Sequence, residues 1–133
     1  MENERPDPVV LLVDDEFLIL DLLQEELHTA GFSVLAVGNG ANAIKQAQEQ
    51  TDRIRVIVTD IDLGRDLTGW DVARRAREAN PAVAVIYMTG RSASDWAALG
   101  VPGSIMLQKP FVTAQLITAI ATKMNEQDSS PSF

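Results

Sequence analysis

Three carboxylates, one hydroxyl and one ammonium stand at the ends of apolar runs in this chain. Residues 9–15 read VVLLVDD, so a valine and leucine run ends in the adjacent carboxylates Asp14 and Asp15. Further on, VIVTD ends in Asp60, VIYMT in Thr89 and IMLQK in Lys109. Neighbouring carboxylates each raise the cost of ionising the other, so a positive charge is expected beside them. An oxygen-only set without histidine or thiol suits a hard cation, Mg²⁺ or Mn²⁺, rather than zinc. A lone Asp at a strand end is usually a helix cap or a solvated turn residue, and Asp15 alone fits a cap. Lys109 before Pro110 fits a loop lysine, or one aimed inward by a cis bond. Four strand ends carrying complementary groups are harder to explain that way.

The elements that must position these groups follow from hydrophobic period. Apolar runs at 9–13, 34–37, 56–58, 83–88 and 105–107, rich in Val and Ile, fit strands covered on both faces. Helical spacing follows each. Leu20, Leu23, Leu27 and Ala30 form one stripe, stopped by Gly31. Residues 40–50 turn Ala43, Ile44 and Ala47 inward, and 70–79 end before Asn80-Pro81. Residues 92–99 read as a short helix capped by serine, and a last helix from Thr113 is expected to bury Ile117, Ile120, Ala121 and Met124. Five such alternations predict an α/β fold, a doubly wound parallel sheet with right-handed crossovers. Ligands in such sheets sit outside the carboxyl ends of the strands, where the five polar groups fall.

A length of 133 residues predicts one domain, set at 8–126, with flexible termini at 1–7 and 127–133. The formal charge of −8 argues against a broad electrostatic grip on nucleic acid or an anionic membrane. With no cysteine there is no disulfide, thiol nucleophile or cysteine zinc site. The opening MENERPDP is polar and acidic, unlike a signal peptide, and no apolar stretch nears the roughly 20 residues of a membrane helix. A soluble, cytoplasmic protein is expected.

The motifs VDD at 13–15, VIVTD at 56–60, MTG at 88–90 and QKPF at 108–111 are individually weak. In this order and spacing they resemble the receiver domain of two-component response regulators, over essentially the whole chain. The resemblance implies a flavodoxin-like sheet of order 2-1-3-4-5 with five helices. It makes Asp60 the phosphoacceptor, charged by a sensor histidine kinase, a phosphotransfer protein or a small phosphodonor. Asp15, Asp60 and the backbone carbonyl of Asp62 would ligate Mg²⁺, and Asp14 would hold a metal-bound water. Thr89 would hydrogen-bond a phosphoryl oxygen, and Lys109 would pair with it. The implied protein is a signalling module, not an enzyme beyond its own phosphorylation and dephosphorylation. Its downstream partner is a protein, with room for a weak homodimer.

Three departures stand out. Where many receivers carry Met-Pro, this chain reads DIDLGRDLTGWD, and Gly69 matches the family's glycine with one residue inserted. Met106 occupies the place of the family's aromatic switch on the fifth strand. A short polar tail follows the last helix, so no output domain is expected, and Tyr87, Met88, Thr89 and Gly90 match the aromatic–x–Thr–Gly motif of a group of stand-alone receivers. The rival reading is a phosphatase of the haloacid dehalogenase type, whose D-x-D motif TDIDLG approaches; Gly64 stands where Thr or Val belongs. Asp62 and Arg91, which by resemblance flank the path of the hydrolytic water, either pair across the site or point into solvent. His28 is read as solvated, as are Arg74, Arg75 and Arg77. Trp96 is either a partner anchor or a contact with the core.

Overall fold

The computed structural model describes residues 7–64, 67–90 and 94–129. Among these residues five strands and five helices alternate: β1 (Val9–Val13), α1 (Phe17–Thr29), β2 (Ser33–Val37), α2 (Gly40–Glu49), β3 (Ile54–Asp60), α3 (Gly69–Ala79), β4 (Ala84–Thr89), α4 (Trp96–Leu99), β5 (Ile105–Gln108) and α5 (Thr113–Ser129). All strand pairs are parallel, in the order β2-β1-β3-β4-β5. This is the doubly wound, flavodoxin-like sheet expected from the sequence.

The period of two in the strands sorts their side chains between two helical layers. Val10, Leu12, Val56, Val58, Ile86 and Met88 meet Leu20, Leu23 and Leu27 of α1 and Leu116, Ala119 and Ile120 of α5. Val9, Leu11, Val13 and Ile57 meet α2 and α3 through Ala43, Ile44, Ala47, Val72 and Ala76. Every residue of β1 and β4 is buried, which is why those runs are apolar without alternation. Each fully buried Val or Leu contributes about 1.5–3 kcal/mol.

The helix ends follow local chemistry. At the end of α1, Gly31 takes φ 103°, while its N–H donates to His28 O and that of Phe32 to Leu27 O. That pair of bonds is a Schellman motif, and only glycine takes that φ without strain. Ala30 is therefore part of the cap and is exposed, not a fourth member of the buried stripe. Thr68 and Asp71 form a reciprocal capping box that starts α3.

The structure departs from the sequence reading at three further points, two on α5 and one on α4. On α5 the buried positions are Leu116, Ala119 and Ile120; Ile117, Ala121 and Met124 are only half-buried, a rotation of about one position. The helix also continues through 127–129, which the sequence reading placed in a flexible terminus. Gln127 explains this: its amide donates to Arg55 O and Ala82 O and accepts from Arg55 Nε, while Arg55 also reaches Asp128 at 2.7 Å. Finally, α4 is a single turn preceded by Asp95, shorter than 92–99; the expected serine cap at 92 lies outside the described residues.

Candidate functional site

Strand register brings the polar groups together. Asp14, Asp60 and Lys109 extend the rows Val10–Leu12, Val56–Val58 and Ile105–Leu107, all of which face α1 and α5. Thr89 extends the opposite row, behind Val85 and Tyr87. The Cα pairing Asp60↔Met88 and Thr89↔Gln108 sets the strand ends level. Lys109 N–H donates to Thr89 O at 2.7 Å, fixing the lysine to β4, and the Lys109–Pro110 peptide is cis.

Asp60 is held by both oxygens. Oδ1 accepts the Asp62 N–H at 3.1 Å, and Oδ2 accepts from Lys109 Nζ at 2.9 Å. Asp14 is fully buried; its Oδ1 accepts the Glu16 N–H at 2.9 Å, and its Oδ2 lies 3.5 Å from Lys109 Nζ. Asp15 is exposed, at the mouth of the site. Carboxylate oxygens of Asp14, Asp15 and Asp60 all lie within 4.8 Å of one another. Thr89 is 2% exposed, at the same rim.

Charge and burial compete here. Burial pushes the Asp14 carboxyl up, and neighbouring Asp60 adds to this; the Glu16 N–H and Lys109 pull it back without cancelling the rise. For Lys109, burial works against the ammonium, but the Asp60 hydrogen bond and the fields of Asp60 and Asp14 outweigh it. The lysine is thus held above its ordinary 10.5. Among the described residues, one cation for three carboxylates leaves an excess of negative charge in oxygen ligands, which fits a divalent metal site.

Two glycines shape the cradle, one of them unforeseen. A Cβ on Gly69 would lie 2.3 Å from Asp60 O, and the Gly69 N–H donates to Ile61 O, so α3 starts against the backbone of the site. Gly64 takes φ 72°, and a Cβ there would lie 2.6 Å from Asp15 Oδ2. Its place in the sequence, four residues after Asp60, was the signal available. The 61–64 loop therefore wraps over Asp15 despite the insertion, and its Asp62 amide reaches Asp60.

A family model described as "Response regulator receiver domain" matches residues 10–121. This chain belongs to the response regulator receiver family. A receiver protein of Sinorhizobium medicae is similar in structure, with a TM-score of 0.85 and 44% identity over 90% of this chain and 95% of that one. The receiver protein CpdR of Brucella abortus is 30% identical, covering 84% of this chain and 92% of its own length. The transcriptional regulatory protein PrrA of Mycobacterium tuberculosis is 31% identical over 98% of this chain but only 55% of its own. The chain spans about half the length of the transcriptional regulators it matches.

Receiver domains are signalling domains, and phosphorylation on aspartate is typical of them. They interact with histidine kinases or phosphotransfer proteins. Among the described residues no helix is long and apolar enough to cross a membrane.

The remaining candidates fall into place one by one. His28 is exposed on α1. Arg77 is not a solvated residue: it is half-buried and its Nε donates to Val83 O at 2.6 Å. Arg74 and Arg75 are exposed and pair with Asp71 and Glu78 on their own helix. Trp96 is 38% exposed, and its Nε1 donates to Ser104 Oγ at 2.9 Å. Arg91, the expected partner of Asp62, lies outside the described residues.

Proposed function

We propose that this receiver accepts a phosphoryl group on Asp60 from a histidine kinase or phosphotransfer protein, in an Mg²⁺-dependent step. It acts in the cytoplasm, through protein contacts. The observation that carries the reading is the double hold on Asp60, with Lys109 on one oxygen and the Asp62 N–H on the other, beside Asp14 and Asp15.

The carboxylate attacks phosphorus; a P–O bond forms, the P–N bond of a phosphohistidine breaks, and the imidazole keeps the electron pair and takes a proton. Two anions must meet for this, so Lys109 charge and fixed N–H donors lower the barrier. Bound Mg²⁺, held by Asp15, Asp60 and the Asp62 carbonyl, with Asp14 on its water, would neutralise phosphoryl charge. Thr89 and Lys109 then hold the phosphoryl oxygens. Burial of Asp14 next to Lys109 keeps that ammonium at the rim instead of in solvent.

A protein donor also needs somewhere to dock. Phe17, Leu18 and Leu22 on α1 and Val112 after β5 are 73%, 81%, 53% and 66% exposed, at the same end of the sheet as Asp60. Large apolar side chains grouped in solvent mark an interaction surface.

The test is intact-mass analysis after incubation with acetyl phosphate, with and without Mg²⁺. One phosphoryl group per chain is expected with Mg²⁺, none in its absence, and none in Asp60→Asn. Equal labelling of Asp60→Asn and wild type would sink the assignment.

A further inference from the structure

Arg77 stands apart from the other arginines of α3. Arg74 and Arg75 pair with Asp71 and Glu78, whereas Arg77 has no carboxylate partner among the described residues. Its Nε donates to Val83 O at 2.6 Å, which fixes the guanidinium and leaves both Nη groups without a partner among those residues. The side chain is half-buried. Burial works against its charge and outweighs the field of the Tyr87 hydroxyl, so the guanidinium is held below its ordinary 12.5. A cation taken partly out of water with no anion beside it is costly.

A cavity of about 380 Å³ opens beside it, within the size range of small-ligand pockets. Its walls are Arg77, Lys123 and Gln127 of α5, the 82–84 segment that leads into β4, and Gly103. Lys123 brings a second charge. Its ammonium has further donors beyond the one given to Glu126, which lies 3.1 Å away and is 60% exposed at the rim. The acceptors in the walls are already engaged. Val83 O accepts from Arg77, Ala82 O from the Gln127 amide, and Gln127 Oε1 from Arg55. The cavity therefore still offers N–H donors and positive charge, a local reversal of sign in a chain of net charge −8.

We propose that this cavity binds a phosphate dianion, free or as the head of a small ester, between the Arg77 fork and the Lys123 ammonium. A planar guanidinium matches two oxygens of a phosphate, and a lysine supplies a point charge to a third. Glu126 must release Lys123 to the incoming anion, so its carboxylate opposes binding. The site lies at the amino end of β4, whereas Thr89 ends that strand at the Asp60 rim. The length of β4, roughly 16 Å, separates the two. Binding here needs neither a metal nor phosphorylation of Asp60, and it is independent of both.

The test is an NMR titration without Mg²⁺, with inorganic phosphate and glycerol 3-phosphate as probes and sodium chloride at matched ionic strength as the control. The amides of 82–84 and 103 and the Arg77 Nε–H signal should shift and saturate with both probes, and should not respond to glycerol or sodium chloride. Tighter binding of glycerol 3-phosphate assigns the site to a phosphate ester; equal or tighter binding of inorganic phosphate assigns it to the free ion. Arg77→Met and Lys123→Met should each weaken binding on the order of tenfold, the loss expected for a charge-assisted contact. Glu126→Gln should tighten it. Lys123→Met serves if Arg77→Met does not fold, and the wild-type titration requires no variant. The proposal is overturned by the absence of saturable shifts, by equal shifts with sodium chloride, or by shifts confined to Asp60, Thr89 and Lys109. Unchanged affinity in Lys123→Met, or in a folded Arg77→Met, overturns it as well.

Discussion

The Lys109 ammonium lies 2.9 Å from Asp60 Oδ2 and 3.5 Å from Asp14 Oδ2, so one cation serves carboxylates from two other strand ends. Lys109→Met should therefore destabilise the fold by about 2 kcal/mol. Removing one partner of a fully buried pair costs about 3–5 kcal/mol. The smaller figure reflects a lysine side chain that is 21% exposed. Adding Asp14→Asn to Lys109→Met should recover part of the loss in urea melts, because it removes the unpaired buried charge. No recovery would mean that Lys109 stabilises through packing alone.

Repulsion among Asp14, Asp15 and Asp60 should be relieved by Mg²⁺. At a metal concentration about 100 times its dissociation constant the fold should gain roughly 2.7 kcal/mol, read as a rise in Tm. Asp15→Ala should abolish the shift. A shift that persists in the variant places the ion away from this cluster.

Gly69→Ala should lower stability by about 1–3 kcal/mol, the usual range for overpacking, because the added methyl meets the Asp60 carbonyl. Gly64→Ala costs roughly 1–2 kcal/mol for its left-handed backbone, and it also pushes on Asp15. Weakened Mg²⁺ binding should accompany it, by calorimetric titration. Unchanged metal affinity in Gly64→Ala would separate that loop from the metal site.

Stability at acid pH should report on the cap of α3. The Thr68 N–H above all holds Asp71 below its ordinary 3.8; burial opposes it, and the Thr68 hydroxyl and Arg74 add to the lowering. A lowered folded pKa stabilises above the unfolded value, and that stability is lost as pH falls through the folded one. Wild type should thus lose about 1 kcal/mol more than Asp71→Asn on acidification from neutral pH to below that folded value, the scale of a helix cap. Parallel curves for the two proteins would rule out a titrating cap.

Most of the fold was legible because period and strand ends were unambiguous. Runs such as VVLLV and VIYM can only be covered on both faces, and the sheet's order followed from the resemblance. Asp14, Asp60, Thr89 and Lys109 were visible as polar residues that terminate apolar rows, and the structure brings them to one rim. What escaped was set by tertiary contact. Nothing in NEQDS marks a helix, since its last turn is held by Arg55, about 70 residues away in sequence. The α5 face was misjudged because apolar residues at 116, 117, 119, 120 and 121 allow several stripes. Tyr87 was singled out as a motif letter, but the bond its hydroxyl accepts from the Val101 N–H at 3.1 Å depends on a loop whose path the sequence does not encode locally.

The anchoring of α5 at both ends has a mechanical consequence. Near the rim, the Thr113 hydroxyl donates to Glu26 of α1; at the far end, Gln127 is tied to Arg55 and Ala82. The helix, 17 residues in all, makes a strut of about 25 Å. α5 thereby joins the outer helix α1 to the amino ends of β3 and β4 by side-chain contacts that bypass the strand hydrogen bonds.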